Sequence, residues 1–212
     1  MTMKLLVGIP SLDFVHVDFV ECLAKLIERL KDDGIDYTLW ICKGTLAYVA
    51  RDKIACKAIN EGFTHVLWLD ADMIFTPDIL DDLSFSGKDF VTGLACSRRP
   101  PYVLCVFNHV SEQKGCKYYE LAQVPEETFE VEGCGFACVL ISTEILKAVI
   151  LRFKTAFQPM KIFGEDVAFC VRAKELGYHI YCEPSVRLGH IGHNAVWPGE
   201  HERYMEQLQR GD

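Results

Sequence analysis

His65-Val66-Leu67-Trp68-Leu69-Asp70-Ala71-Asp72 reads as a buried strand that stops on two carboxylates. A short apolar run without polar alternation is what a strand covered on both faces needs, and such strands belong to α/β folds with helices on each side of the sheet. In open sheets of that kind, ligands collect beyond the carboxyl ends of the strands. Asp70 and Asp72 therefore put oxygen ligands where such a fold binds. Hard divalent cations, Mg²⁺ or Mn²⁺, prefer those ligands and can bridge a diphosphate. Taken alone, the pair is equally well a polar turn before the helix that starts near Pro77. The apolar run favours the site reading, because it places the pair at a strand end.

Working outward, the N-terminal side alternates strand and helix periods, the pattern of βαβ units. Residues 4–9 form a strand, and 14–31 carry a helical stripe of Val15, Phe19, Leu23, Leu26, Ile27 and Leu30, closed by Gly34. Tyr37 to Cys42 is a second strand. A helix follows over 46–61, with Leu46, Val49, Ala50, Ile54 and Ala58 on one side and Gly62 at its end.

On the C-terminal side, Thr76-Pro77 predicts an N-cap and first position for a short helix through Leu83. Strands are expected at Phe90–Ala95 and Tyr102–Phe107, separated by the break Arg98-Arg99-Pro100-Pro101. A polar stretch over 108–132 holds antiparallel strands at Tyr118–Val124 and Thr128–Val131. Gly133-Cys134-Gly135-Phe136 opens an apolar strand over Ala137–Ile141, and Ser142 or Thr143 caps a helix over 144–152. Gly164-Glu165-Asp166 starts another helix, which stops at Gly177. Tyr178–Cys182 is a short strand, and Leu188-Gly189-His190-Ile191-Gly192 leads into a charged tail. With no internal repeat and no linker, one α/β domain is expected.

The chain has 212 residues, 22 basic and 30 acidic, for a formal charge of −8, which speaks against a dedicated nucleic-acid binder. No apolar run approaches the roughly 20 residues of a membrane span, and Leu5 to Pro10 is too short for a secretory core. Ten cysteines occur without any CxxC pair. Cys22, Cys42, Cys56, Cys96, Cys105, Cys138, Cys170 and Cys182 lie in apolar segments, as reduced core thiols would, so a cytoplasmic protein is expected.

Two further motifs carry chemistry. Glu165-Asp166 offers a carboxylate able to take a proton from a hydroxyl, although acids in a first helical turn are also favoured by the macrodipole. His190, set between two glycines, offers a ring nitrogen to a metal, or serves a turn.

The order of the motifs is more specific than any one of them. A first strand ending in Pro10-Ser11-Leu12-Asp13, Arg51 with Ile54-Ala55, Leu69-Asp70-Ala71-Asp72-Met73, Gly133-Cys134-Gly135-Phe136, Gly164-Glu165-Asp166 and Leu188-Gly189-His190-Ile191-Gly192 follow one another over residues 4–192. In that order they resemble a GT-A glycosyltransferase, similar to family 2 enzymes. The resemblance implies a single Rossmann-like nucleotide-binding domain over 1–212, with a mixed, mostly parallel central sheet and a small antiparallel second sheet. Residues 1–95 would be the nucleotide-sugar half, 96–192 the acceptor-side half and 193–212 a C-terminal tail.

The same resemblance implies a nucleotide-sugar donor, expected to be a UDP-sugar, an acceptor hydroxyl of unassigned class (glycan, lipid, protein or small molecule), inversion, and Mn²⁺ or Mg²⁺. On it, Asp72 is the main metal ligand, Asp70 meets the ribose or metal-bound water, and His190 is a third contact to the metal. Asp166 is the base, with Glu165 beside it. Pro10, Ser11 and Asp13 meet the nucleoside, Arg51 holds nucleoside or phosphate, and Ala71 lies between the two acids of the donor site. Gly133, Cys134, Gly135 and Phe136 fall where sugar and acceptor meet, and Arg98 and Arg99 either assist the diphosphate or form a solvated turn. The sequence departs from larger relatives in showing no membrane helix, no appended acceptor domain and no long C-terminal extension. Two alternatives stay open. A nucleotidyltransferase would carry a Gly-rich, basic loop where Gly8-Ile9-Pro10-Ser11 stands, and a catalytically silent protein would bind sugar nucleotide or carbohydrate without turning it over.

Overall fold

The N-terminal half alternates as the periodicity predicts, through β1 (Lys4–Ser11), α1 (Val17–Asp32), β2 (Asp36–Lys43), α2 (Ala47–Asn60) and β3 (His65–Leu69). The structure, a computed structural model, describes residues 3–192 and 195–210, and the remaining positions of the tail and the N-terminus lie outside the description. α1 buries Phe19, Leu23, Leu26 and Leu30, the single stripe that a helix on one face of a sheet requires. α2 buries Ala50, Ile54, Ala55 and Ala58, and with them Arg51. It ends where Gly62 takes φ +70°, a left-handed turn that needs no Cβ, and this hands the chain to β3.

The second half runs through β4 (Met73–Ile74), α3 (Ile79–Phe85), β5 (Phe90–Leu94), β6 (Val106–Ser111), β7 (Gly115–Tyr118), β8 (Phe129–Val131), β9 (Gly133–Cys134) and β10 (Cys138–Ser142). It continues through α4 (Thr143–Phe153), α5 (Glu165–Glu175), β11 (Ile180–Arg187), β12 (Gly189–Ile191), β13 (Ala195–Val196) and α6 (Glu200–Arg210). Seven strands build one mixed sheet in the order β2-β1-β3-β10-β5-β11-β8, flanked by two three-stranded sheets, β13-β12-β4 and β7-β6-β9. Pairing is parallel across β2, β1 and β3 and between β5 and β11; β10 enters antiparallel between β3 and β5, and β8 closes the far edge antiparallel. The β7-β6-β9 sheet is the small antiparallel sheet that the resemblance implies.

β3 explains its own composition. Val66 and Trp68 enter the core under α2, α4 and α5, whereas Leu67 and Leu69 enter the one under α1 and α3. Trp68 packs edge-on against Phe136 and Phe157, at 6.0 and 5.2 Å between ring centres. With both faces covered, no polar residue is tolerated until the strand leaves the core at Asp70.

Several local expectations are corrected. The helix after Thr76-Pro77 begins at Ile79, because its first backbone bond is Asp82 N–H to the Asp78 carbonyl, so Pro77 lies in the preceding turn. Tyr118–Val124 is not a strand beyond Tyr118: Leu121–Gln123 is a 3₁₀ turn, and the Gln123 side chain accepts from the Glu120 N–H. The strand expected at Tyr102–Phe107 starts at Val106 and runs on through polar Asn108 and His109, where the central strand of the small β7-β6-β9 sheet is partly exposed. The strand after Gly177 extends to Arg187 instead of stopping at Cys182. Part of the charged tail is a helix, α6, with Tyr204 set edge-on to Tyr102 at 5.7 Å. Ser142 is the cap of α4, its Oγ accepting from the Glu144 N–H. All ten cysteines are free thiols, but Cys56 lies on the solvent side of α2, and Cys22 and Cys105 are only partly covered. Among the described residues no helix is long and apolar enough to cross a membrane.

Candidate active site

The carboxyl ends of β1 and β3 converge with the start of α5. The Asp70 N–H donates to the Ala137 carbonyl at 3.0 Å, and the chain then turns through Ala71-Asp72 into β4. β4 pairs antiparallel with β12, which sets His190 opposite Met73, and the Ile191 N–H donates to the Asp72 carbonyl at 2.8 Å. Backbone pairing thus carries His190 to Asp72 across more than a hundred residues of sequence.

The His190 ring has a definite orientation. Its Nδ1 lies 2.8 Å from the Cys96 carbonyl oxygen, which can only accept, so Nδ1 carries the proton. Nε2 then faces Asp72 Oδ2 at 3.3 Å. In the neutral ring this sets a nitrogen lone pair against a carboxylate oxygen, an arrangement that asks for a proton or a cation between them. Burial disfavours the charged imidazole, but Asp72 and the Cys96 carbonyl outweigh it and raise His190 above its ordinary value. Burial also pushes the Asp72 carboxyl up, whereas His190 and Arg98 together bring it below its usual range.

Asp70 is held differently. Arg51 donates from Nη2 to Asp70 Oδ1 at 2.6 Å and lies 3.5 Å from Glu165 Oε1 through Nη1. The guanidinium also sits over the Phe136 ring, 5.1 Å from its centre. Burial alone would lower Arg51, but Asp70, Glu165 and Asp166 reverse that and keep it firmly charged. Burial raises Asp70, and Arg51 offsets only part of the rise.

Glu165 and Asp166 occupy the first turn of α5. Asp166 Oδ1 accepts from the Val167 N–H at 2.7 Å. Burial raises the Asp166 carboxyl, with Val167 and Arg51 opposing and Glu165 and Asp70 adding to it. Gly135 lies beside this carboxylate: a Cβ there would stand 3.2 Å from the Cys105 Cβ and 3.7 Å from Asp166 Oδ2, so a larger side chain would crowd the acid.

A cavity of about 470 Å³ opens at these strand ends. Pro10, Ser11, Arg51, Asp70, Ala71, Asp72, Arg98 and Glu165 line it, as do Leu12, Phe14, His16, Thr45, Leu46 and Ala47, which sequence reasoning did not single out as site residues. Phe14, 89% exposed, was the available signal, because a large aromatic in the loop after the first strand has no core to serve. Asp13 is exposed and does not line the cavity. Gly133 and Cys134 lie buried behind it, the Cys134 sulfur 4.0 Å from that of Cys170. Arg99 is exposed and stands outside the lining. Its lining joins the apolar side chains of Pro10, Leu12, Phe14 and Leu46 to the charged groups of Arg51, Asp70, Asp72, Arg98 and Glu165.

Among the described residues no three His, Cys, Asp or Glu side chains form a complete metal cage. Asp72 and His190 nevertheless fit a cation. Mg²⁺-like ions are usually held by one or two carboxylates while substrate phosphates and water complete the shell. A ligating histidine also characteristically donates its other N–H to a carbonyl, as His190 does to Cys96.

A seven-stranded mixed sheet with a small antiparallel sheet beside it, and carboxylates gathered at its strand ends, is the GT-A type of fold. The family model described as glycosyltransferase like family 2 matches residues 33–210, and the chain belongs to that family. It is accordingly a glycosyltransferase. No curated protein sequence matches it. A197 from STIV is 22% identical, with TM-score 0.65 over 93% of this chain and 92% of that one. UDP-glucose pyrophosphorylase complexed with UDP-glucose is 9% identical, with TM-score 0.52 over 99% and 100%. The Drosophila β-1,4-galactosyltransferase 7 mutant complexed with manganese, UDP-Gal and xylobiose is 12% identical, with TM-score 0.48 over 97% and 74%. The first two share this fold.

Proposed function

We propose that the protein transfers a sugar from a nucleoside diphosphate sugar, of the UDP type, to an acceptor hydroxyl with inversion, and that it requires Mn²⁺ or Mg²⁺. The observation that carries the metal requirement is His190 Nε2 facing Asp72 Oδ2 at 3.3 Å while Nδ1 is committed to Cys96. Asp72 and His190 would hold the ion, which when bound neutralises charge on the departing diphosphate. The apolar side chains of Pro10, Leu12, Phe14 and Leu46 in the cavity lining suit a planar base, and Asp70, clamped by Arg51, lines the same cavity.

Asp166 takes the proton of the acceptor hydroxyl. The hydroxyl oxygen bonds to the anomeric carbon opposite the leaving group, and the carbon–oxygen bond to the diphosphate breaks with its electron pair leaving on phosphate. A carboxyl raised by burial is better matched to this task than an ordinary one. Glu165, tied to Arg51, orients the start of α5 rather than moving the proton. We assign the donor to residues 1–95, the acceptor to 96–192, and a tail to 193–212. Ten unpaired cysteines favour a reducing compartment such as the cytoplasm.

A thermal-shift screen of nucleotides and sugar nucleotides, with Mn²⁺ or with EDTA, tests this reading. A ligand at one hundred times its Kd stabilises by about 2.7 kcal/mol, which is roughly 5–10 °C for a chain of this size. We expect UDP and a UDP-sugar to give that shift only with the metal present. Equal shifts in EDTA, or none with any nucleotide, would overturn it.

A further inference from the structure

Arg98 donates from Nη1 to Asp72 Oδ2 at 2.8 Å, and this is the oxygen that faces His190 Nε2. The cavity is lined by two arginines of opposite character. Arg51 is 5% exposed and committed to Asp70 and Glu165. Arg98 is 51% exposed and stands on the turn after β5, with Asp72 as its one carboxylate partner among the described residues. A carboxylate oxygen has two lone pairs, and on Asp72 Oδ2 they face His190 and Arg98. A divalent cation in the gap between His190 and that oxygen would place its charge beside the Arg98 guanidinium, so cation and guanidinium repel one another across Asp72.

We infer that Arg98 is an exchangeable counter-ion, holding Asp72 in the donor-free enzyme, yielding it to the divalent cation, and then hydrogen-bonding to the diphosphate. The inference rests on the reading of Asp72 as a metal ligand. Charge balance supports the exchange. Arg51 and Arg98 against Asp70, Asp72 and Glu165 give the lining 2 − 3 = −1 before any donor enters. A diphosphate adds further negative charge, so the site needs a cation on Asp72 and a free guanidinium on the phosphates. The planar fork of arginine suits phosphate oxygens in a way lysine does not. Arg98 can make the move because half of its surface is already in water and its release breaks no core packing.

The test uses the full-length protein with Mn²⁺ alone, read as free Mn²⁺ by electron paramagnetic resonance, and with preformed Mn²⁺–pyrophosphate, read by calorimetry. Arg98→Met should bind Mn²⁺ alone about two- to fivefold more tightly than wild type, the size of a half-exposed ion pair, because Asp72 has lost its competitor. The same variant should bind Mn²⁺–pyrophosphate roughly tenfold more weakly, having lost a charge-assisted hydrogen bond. Arg98→Lys should return Mn²⁺ affinity to near wild type and restore pyrophosphate binding only in part. Opposite signs for the two probes are the signature, since a general disturbance of the turn would weaken both. Unchanged or weaker Mn²⁺ binding by Arg98→Met overturns the inference. Asp72→Asn separates the two claims: if it loses Mn²⁺ while Arg98→Met changes nothing, Arg98 alone is misassigned, and if it binds Mn²⁺ as wild type does, the metal reading falls as well.

Discussion

Replacing Arg51 by methionine asks whether one buried guanidinium holds the two acidic elements of the site together. Methionine keeps much of the apolar stem, so the change removes charge more than volume. The side chain is 5% exposed and bonds Asp70 at 2.6 Å, with Glu165 at 3.5 Å. Breaking a fully buried pair on one side costs about 3–5 kcal/mol, because the partner's charge is left uncompensated. Asp70 and Glu165 keep 31% and 25% of their side-chain surface exposed, so water recovers part of that. We therefore expect a loss of about 2–3 kcal/mol, or roughly 5–10 °C in Tm. The buried Arg51 Nε, which has no partner, offsets a little of the loss when removed. The pH dependence has a definite sign. Asp70 is raised by burial even with Arg51 present, and losing the guanidinium raises it further. A carboxyl raised on folding destabilises the protein above its folded pKa, and this penalty fades as the pH falls and the group protonates. The gap between variant and wild type should thus narrow in acid. Urea unfolding followed by tryptophan fluorescence at neutral and mildly acidic pH measures both effects, with Arg51→Met/Asp70→Asn as the second arm. A loss under about 0.5 kcal/mol, a gap that stays constant with pH, or a double variant no more stable than the single one would refute the clamp.

Asp72→Asn should abolish Mn²⁺-dependent activity while leaving Tm within about 2 °C of wild type, since the side chain lies at a strand end and not in the core; calorimetric Mn²⁺ titration beside a melting curve checks it. His190→Ala should raise the Mn²⁺ concentration for half activity roughly 10–100-fold. Because Asp72 raises His190 above the ordinary 6.5, protons should compete with the metal up to a higher pH than a free histidine would allow, and Mn²⁺ affinity should weaken as the pH falls through that raised value. Asp166→Asn should cut transfer by roughly 10²–10⁴-fold, with the thermal shift from UDP-sugar and Mn²⁺ retained. Glu165→Gln should be milder in rate, its main effect falling on stability through Arg51. In wild type the acid limb of the rate profile should sit above the usual carboxylate range, because Asp166 must be ionised to act and burial raises it. A limb at ordinary carboxylate pH would transfer the base role elsewhere.

The parallel half of the fold was legible because its elements each keep one periodicity, with β1 and β3 covered on both faces. β3 announces itself as an unbroken apolar run, and α1 as a single stripe. The polar segment over 108–132 was not legible at the same level. Its strands are short and partly exposed, so local side-chain bonds such as Gln123 to the Glu120 N–H decide between turn and strand, and hydropathy does not report them. α6 was missed for a related reason: its apolar residues are only Tyr204, Met205 and Leu208 among charged and polar positions, and it buries no residue, so its short stripe reads as a solvated tail. In the site, the acids were visible from their place at strand and helix ends. The partnership of Arg51 with Asp70 and Glu165 was not, since it joins residues 19 and 114 positions apart. Arg51 lines the cavity and at the same time clamps two carboxylates. His190 was visible as a residue between glycines, but its pairing with Asp72 depends on the β4–β12 register, which only the folded sheet defines.

The central claim is glycosyl transfer from a nucleoside diphosphate sugar with Asp72 and Asp166 in separate roles, and the most direct measurement is which phosphate product the enzyme releases. The purified protein is incubated with a panel of sugar nucleotides and simple acceptors in Mn²⁺, and in parallel with nucleoside triphosphates and sugar 1-phosphates, and released nucleoside diphosphate and pyrophosphate are both quantified. Nucleoside diphosphate is expected from at least one sugar nucleotide, lost in EDTA, in Asp72→Asn and in Asp166→Asn, with no pyrophosphate from any triphosphate. Pyrophosphate release from a triphosphate and a sugar phosphate, or nucleoside diphosphate release that survives EDTA, would contradict it.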